Sequence, residues 1–236
     1  MLYIKRSLEK PLDDAVPRGK SVLLLGPRQT GKTTLLERLK ADASFSLNFP
    51  DTRIRYEKAL GTFTREVEAI SETKRGRPLV AIDEIQKVPP LMDAIQDLID
   101  RRRASFIITG SSARKLRRGA HVNWLPGRVV PLRLDPYTLE EMPNRPLRDH
   151  LLFGDLPGIV GLQNETDRET DLDAYVTAYL EEEVRAEAIV RNLGSFARFL
   201  ELAASESGQT VNFRKLAQEI GVAHTTVEGY FQVLED

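Results

Sequence analysis

The residues from Gly26 to Thr33, Gly26-Pro27-Arg28-Gln29-Thr30-Gly31-Lys32-Thr33, fit the spacing G-x-x-x-x-G-K-[ST] without a mismatch, and Thr34 follows. An aliphatic run precedes the motif and a helical pattern follows it, which is the context in which this spacing cradles phosphate. The glycines let the backbone wrap an anion, while successive N–H groups and a helix N-terminus make a positive concavity. Lys32 offers a point charge to the β- and γ-phosphates, and the Thr33 hydroxyl suits a Mg²⁺ ion. The expectation is a nucleoside triphosphate held with Mg²⁺ by residues 26–34.

A second chemical signal lies about fifty residues on. In "LVAIDEIQ", four apolar residues run into Asp83 and Glu84 where a strand should end. Strand C-termini converge on the ligand in such folds, so Asp83 is placed to hold Mg²⁺ through water. Glu84 is placed to orient and deprotonate an attacking water.

Elements must bring these groups together. Residues 21–26, 45–49, 78–83, 105–110 and 129–134 read as strands, most of them nearly continuously apolar, as strands covered on both faces are. Residues 32–41, 53–73, 90–103 and 112–119 read as helices between them. This alternation predicts a parallel sheet with right-handed crossovers, ending near residue 135. Three prolines in residues 134–146 mark a connector. Beyond it the pattern is helical only, with apolar residues at helical spacing in 169–189 and a further helix over 195–207. The expected division is an α/β core over 1–135, a helical connector or lid over 136–194, and a helix-turn-helix over 195–236.

Composition removes several alternatives. With 236 residues, 41% hydrophobic and 29% charged, the chain is of ordinary globular type. It has no cysteine, which excludes disulfides and thiolate chemistry, and its three histidines are far apart. No apolar run approaches a membrane span and no signal-peptide core is present, so the expectation is a cytoplasmic protein without membrane contact. The net charge of −1 hides a basic stretch, 101–118, and an acidic one, 165–187. The basic stretch reads either as a solvated face or as a surface for phosphate, of nucleotide or nucleic acid.

A glutamate after the magnesium aspartate, with an added central strand, resembles the additional-strand class of P-loop ATPases that includes the AAA-type enzymes. More specifically, "GPRQTGKTTLL", "IDEIQKVP", "ITGSSARKL", "LPGR", "YTLEEM" and "FGDLPGI" resemble, in order and spacing, prokaryotic AAA-type ATPases fused to a C-terminal domain of unknown function. The resemblance implies ATP as the nucleotide, an α/β core with a five-stranded parallel sheet, a helical region and a winged-helix-like segment, here incomplete. It implies a first sensor of the γ-phosphate after the fourth strand, with Ser111 preferred and Ser112 second. It also implies an arginine finger reaching a neighbour's nucleotide in a homo-oligomer, with Arg128 preferred and Arg114 as rival. Asn48 either holds the catalytic glutamate idle or caps the next helix. The Tyr3 to Arg6 segment is a candidate for packing near the base. By the same resemblance the chain stops well over a hundred residues early, leaving a further domain or protein partner to be supplied.

The last stretch, "NFRKLAQEIGVAHTTVEGYFQVLED", reads as helix, turn at Gly221 and second helix, with Phe213, Leu216, Ala217, Ile220, Val222, Val227, Tyr230 and Leu234 as its core. The second helix carries no Lys or Arg and three acidic residues, which suits an interdomain or protein contact better than a DNA groove. Two functions follow. One is a Mg²⁺-dependent ATPase that drives a conformational switch, with Lys32, Thr33 and Asp83 binding and Glu84 catalysing. The other is a nucleotide-regulated DNA-binding or regulatory protein in which hydrolysis is incidental. A small-substrate kinase is disfavoured, because Glu84 suits water activation and no acceptor pocket is recognisable.

Overall fold

A computed structural model describes residues 3–110, 125–179 and 192–235. Ser111, Ser112, Arg114 and the expected helix 112–119 lie outside the described residues, as does the acidic run from Glu181 to Glu187. The chain falls into two compact units, Met1–Gly161 and Leu162–Asp236.

The first unit runs α1 (Glu9–Ala15), β1 (Ser21–Leu25), α2 (Lys32–Arg38), β2 (Ala43–Ser46), α3 (Pro50–Lys58), α4 (Leu60–Thr73) and β3 (Leu79–Asp83). After a 3₁₀ turn at Ile85–Lys87 come α5 (Leu91–Asp100), β4 (Ser105–Gly110), β5 (Val129–Arg133), α6 (Leu147–Phe153) and the short α7 (Pro157–Val160). The five strands form one parallel sheet in the order β2-β3-β4-β1-β5. β4 is thus the added strand, inserted between the strand that leads into the phosphate loop and the strand that ends in Asp83.

Alternation along each strand sorts the core into two layers. Leu23, Val80, Ile82, Phe106 and Ile108 face one side, against Phe63, Val67, Ile95 and Leu98 of α4 and α5. Val22, Leu24, Ala81 and Ile107 face the other, against Leu12 of α1 and Leu35 and Leu36 of α2. The three central strands, β1, β3 and β4, therefore spend both faces on burial, which is why they read as unbroken aliphatic runs.

Several boundaries differ from expectation, among them α2, which ends at Arg38 instead of 41, and two differences have a clear physical cause. β2 spans 43–46 instead of 45–49, because it pairs with β3 from Ala43↔Val80 to Ser46↔Asp83 and ends level with that carboxylate. The single helix expected over 53–73 breaks at Ala59, whose φ of −152° is not helical. The break has a packing reason. Tyr56 and Phe63 meet edge-on with ring centroids 5.6 Å apart, and both meet Phe45. In an uninterrupted helix, residues seven apart are separated by roughly 10 Å along the axis, too far for that contact.

Among the described residues after Arg133 all elements are helical. The second unit carries α8 (Glu165–Ala174) with a π-helical turn at Tyr175–Tyr179, then α9 (Leu193–Ser205), α10 (Phe213–Ile220) and α11 (His224–Glu235). Asn164, Asn192 and Asn212 cap α8, α9 and α10 by accepting backbone N–H bonds. Gly221 ends α10 in the left-handed conformation (φ 82°), giving the helix-turn-helix its tight corner. Leu216, Ala217, Ile220, Val227 and Tyr230 are buried together with Phe196 and Phe199 of α9. Phe213 and Leu234, expected in this core, are exposed instead. Phe213 packs at the edge on Phe231, with ring centroids 5.2 Å apart.

One sheet contact fixes the mouth of the phosphate loop. Leu134 N–H donates to Leu25 O at 2.8 Å, and a Cβ added to Gly26 would lie 2.1 Å from the Leu134 carbonyl oxygen. Gly26→Ala must push β5 away from β1. The expected outcome is a loss of at least ~3 kcal/mol, seen as a lower urea midpoint.

Candidate active site

The phosphate loop leaves β1 at Leu25 and enters α2 at Lys32. Gln29 and Gly31 adopt positive φ (61° and 92°), which turns the loop around its own backbone. Lys32 is only 5% exposed, and its ammonium donates to the carbonyls of Gly26 (2.9 Å) and Pro27 (2.7 Å). Thr30 Oγ1 also donates to Pro27 O, at 2.9 Å. These bonds wind the loop around its own carbonyls. Burial pushes the Lys32 pKa below the ordinary lysine value, the Glu84 and Asp83 carboxylates pull it back up, and Arg28 lowers it slightly further.

Asp83 ends β3 and is 3% exposed. Its Oδ2 accepts from Thr33 Oγ1 and from Asn48 Nδ2, both at 3.1 Å, and its Oδ1 accepts from Thr109 Oγ1 at 2.5 Å. One carboxylate thus gathers the start of α2 and the ends of β2 and β4. The Thr33 hydroxyl and Asp83 carboxylate are adjacent hard oxygen donors, and this pair fits Mg²⁺ completed by phosphate and water. Among the described residues no group of three or more His, Cys, Asp or Glu could hold a metal ion.

Glu84 follows with φ 62° and ψ 48°, a left-handed backbone for a non-glycine residue. Its N–H donates to Thr109 Oγ1 at 3.1 Å, and its Oε2 accepts from Gln86 Nε2 at 2.6 Å. A cavity of about 640 Å³ opens here, lined by Arg28, Gln29 and residues 31–34 of the phosphate loop and by Asn48, Glu84, Lys87, Pro157 and Gly158. Lys32, Thr33, Asp83 and Glu84 therefore meet at one place.

Other expected residues sit elsewhere. Arg128 pairs with Asp100, Nε to Oδ1 at 2.6 Å and a terminal nitrogen to Oδ2 at 2.9 Å. It precedes β5, whose first residue Val129 pairs with Ser21, so it lies about 16 Å down the sheet from Leu25 and does not reach its own chain's loop. Asn48 neither holds Glu84 nor caps α3. Its amide joins Asp83 to Lys87, and the α3 cap position is Phe49, without a side-chain bond. Arg6, considered for the base, instead serves the loop. It is 5% exposed and donates to Thr30 O (2.8 Å), Asp135 O (2.5 Å) and Glu141 Oε2 (3.1 Å), with Tyr137 4.7 Å beneath.

Thr109 is a site residue to which sequence reasoning gave no role; Ser111, the preferred sensor, lies outside the described residues. Fully buried, Thr109 bonds both acidic residues at once. A hydroxyl at the end of an otherwise aliphatic strand was the available signal.

A family model described as "AAA domain" matches residues 18–143, more than half of the chain, and a "Domain of unknown function (DUF8612)" matches 144–236. Two curated relatives, uncharacterized protein Mb2031c of Mycobacterium bovis and uncharacterized protein Rv2008c of Mycobacterium tuberculosis, are each 29% identical over 238 residues. The match covers 100% of this chain and 52% of each relative, so the chain spans about half their length. Among solved structures, the replication initiator DnaA bound to AMPPCP and single-stranded DNA has a TM-score of 0.42 at 14% identity, over 99% of this chain and 90% of that one. The Aeropyrum pernix Orc1 protein in complex with DNA has a TM-score of 0.44 at 16% identity, over 98% and 84%. Overall likeness at that level is loose. The phosphate loop, the acidic strand end, the inserted β4 and the matched region agree: the chain belongs to the AAA domain family.

Proposed function

We propose that the chain is a Mg²⁺-dependent ATPase whose turnover drives a conformational switch. The observation that carries this reading is the network that binds Thr33, Asp83, Thr109 and Glu84 together beside Lys32. The wound loop offers its N–H groups to the phosphates, and Lys32 trades its bonds to the loop carbonyls for phosphoryl oxygens. Thr33 and Asp83 would hold Mg²⁺, which supplies charge neutralisation between the β- and γ-phosphates. Glu84 accepts a proton from a water as its oxygen attacks the γ-phosphorus, and the bond to the β-bridging oxygen breaks to leave ADP and phosphate. Gln86 holds one Glu84 oxygen and so leaves the other for the water.

The second reading, a nucleotide-regulated DNA-binding protein, is favoured by the formed helix-turn-helix of α10 and α11. Against it, α11 carries no Lys or Arg, and phosphate contacts supply most DNA affinity. An arginine finger acting from Arg128 belongs to a homo-oligomer, and that arginine would first have to leave Asp100.

Three outcomes are expected. Glu84→Gln binds ATP within about twofold of wild type while steady-state phosphate release falls at least ~100-fold, whereas Lys32→Ala loses the binding itself. Unchanged hydrolysis in the Gln variant would remove Glu84 as base. Thr109→Val, equal in size but without the hydroxyl, strands the Glu84 N–H and slows release by about tenfold with little change in affinity. Titration with duplex DNA across a salt series is expected to give no steep slope, and a steep one would favour the second reading.

A further inference from the structure

We propose that Lys87 is a terminal-phosphate contact supplied by the same chain, and that Asn48 holds it until the phosphate arrives. This rests on the nucleotide-site reading given above and extends it to a residue that reading does not use.

The position of Lys87 is fixed by the same turn that sets Glu84. Lys87 N–H donates to Glu84 O at 3.0 Å, and Val88 N–H closes the next bond to Ile85 O at 3.0 Å. The cations lining the cavity among the described residues are Arg28, Lys32 and Lys87. Arg28 and Lys32 belong to the phosphate loop, whereas Lys87 comes from the 3₁₀ turn that follows the proposed base. A cation on the turn that carries the proposed base is suited to the terminal phosphate, the one the activated water would attack.

Its present partner is weak for a cation. Lys87 Nζ donates to the neutral Asn48 Oδ1 at 2.6 Å, and Asn48 Nδ2 in turn donates to Asp83 Oδ2 at 3.1 Å. A lysine bound to an amide oxygen gains more from a phosphoryl oxygen, whose negative charge adds a Coulomb attraction that a neutral amide lacks. When Lys87 turns to the phosphate, Asn48 loses one of its two partners while Asp83 keeps its bonds to Thr33 and Thr109. The ion pair of Arg128 with Asp100 leaves that arginine away from this chain's own cavity, so Lys87 fills a place that a neighbour's residue would otherwise have to fill.

The test compares ATP with ADP by displacement of a fluorescent nucleotide in the presence of Mg²⁺, using the full chain. Lys87→Met is expected to weaken ATP about tenfold and ADP less than twofold, because only ATP has the phosphate concerned. Lys87→Arg, which keeps the charge, is expected to retain most of the preference for ATP. Equal weakening of both nucleotides, or of neither, would overturn the proposal while leaving nucleotide binding intact. A wild-type chain that bound neither nucleotide would overturn the reading of the site itself.

Discussion

The buried carboxylate of Asp83 is the constraint on which the site depends. A carboxylate that is 3% exposed is costly to bury unless its lone pairs are met. Here they are met by side chains from three other elements, Thr33, Asn48 and Thr109. None of those three is near Asp83 in sequence, and each stands at the end of a strand or the start of a helix. The parallel order β2-β3-β4-β1 is what brings those ends to one edge of the sheet. Inserting β4 between β1 and β3 puts Thr109, with its buried hydroxyl, between the phosphate loop and the acidic pair.

The loop itself is held from the β5 side. Gly26 lies against the Leu134 carbonyl, and the Arg6 guanidinium reaches the Thr30, Asp135 and Pro136 carbonyls and the Glu141 carboxylate. Glu141 is itself fixed by the N–H groups of Ser7 and Thr138, which with Arg6 hold its carboxyl below the usual range despite burial. The planar fork of an arginine can serve several acceptors at once, where a lysine would serve them as a single point. A loop braced this way has little backbone entropy left to lose when a phosphate enters, so more of the contact energy appears as affinity. Residues 135–141 are consequently part of the phosphate-loop support, although Pro136, with Pro143 and Pro146 after it, reads as a connector.

What was legible in the sequence was local. The spacing from Gly26 to Thr33 states its geometry outright, and the aliphatic run ending in Asp83 and Glu84 announces a strand that stops at a ligand. The unbroken apolar runs likewise gave the parallel sheet. What was not legible depended on partners distant in sequence. The place of Thr109 beside the site follows from the register Leu24↔Thr109, which is set by a strand more than eighty residues away. Asn48 offered two local readings, and its partners Asp83 and Lys87 are 35 and 39 residues away. The break at Ala59 carries no glycine or proline, since its cause is the aromatic cluster of Phe45, Tyr56 and Phe63.

The adjacency of Asp83 and Glu84 poses a problem that the backbone solves at a cost. Successive residues in a strand point to opposite faces, so an extended chain would aim one carboxylate into the site and the other away. The left-handed conformation at Glu84 turns the chain immediately after Asp83, and Glu84 comes to line the cavity with Lys32 and Thr33. Such a conformation costs a non-glycine residue roughly 1–2 kcal/mol. Three bonds offset it: Glu84 N–H to Thr109 Oγ1, Lys87 N–H to Glu84 O and Val88 N–H to Ile85 O. A glycine would adopt this turn without strain but would bring no carboxylate. The strain is therefore retained where the second acidic group is needed, and the same turn brings Lys87 to the cavity lining.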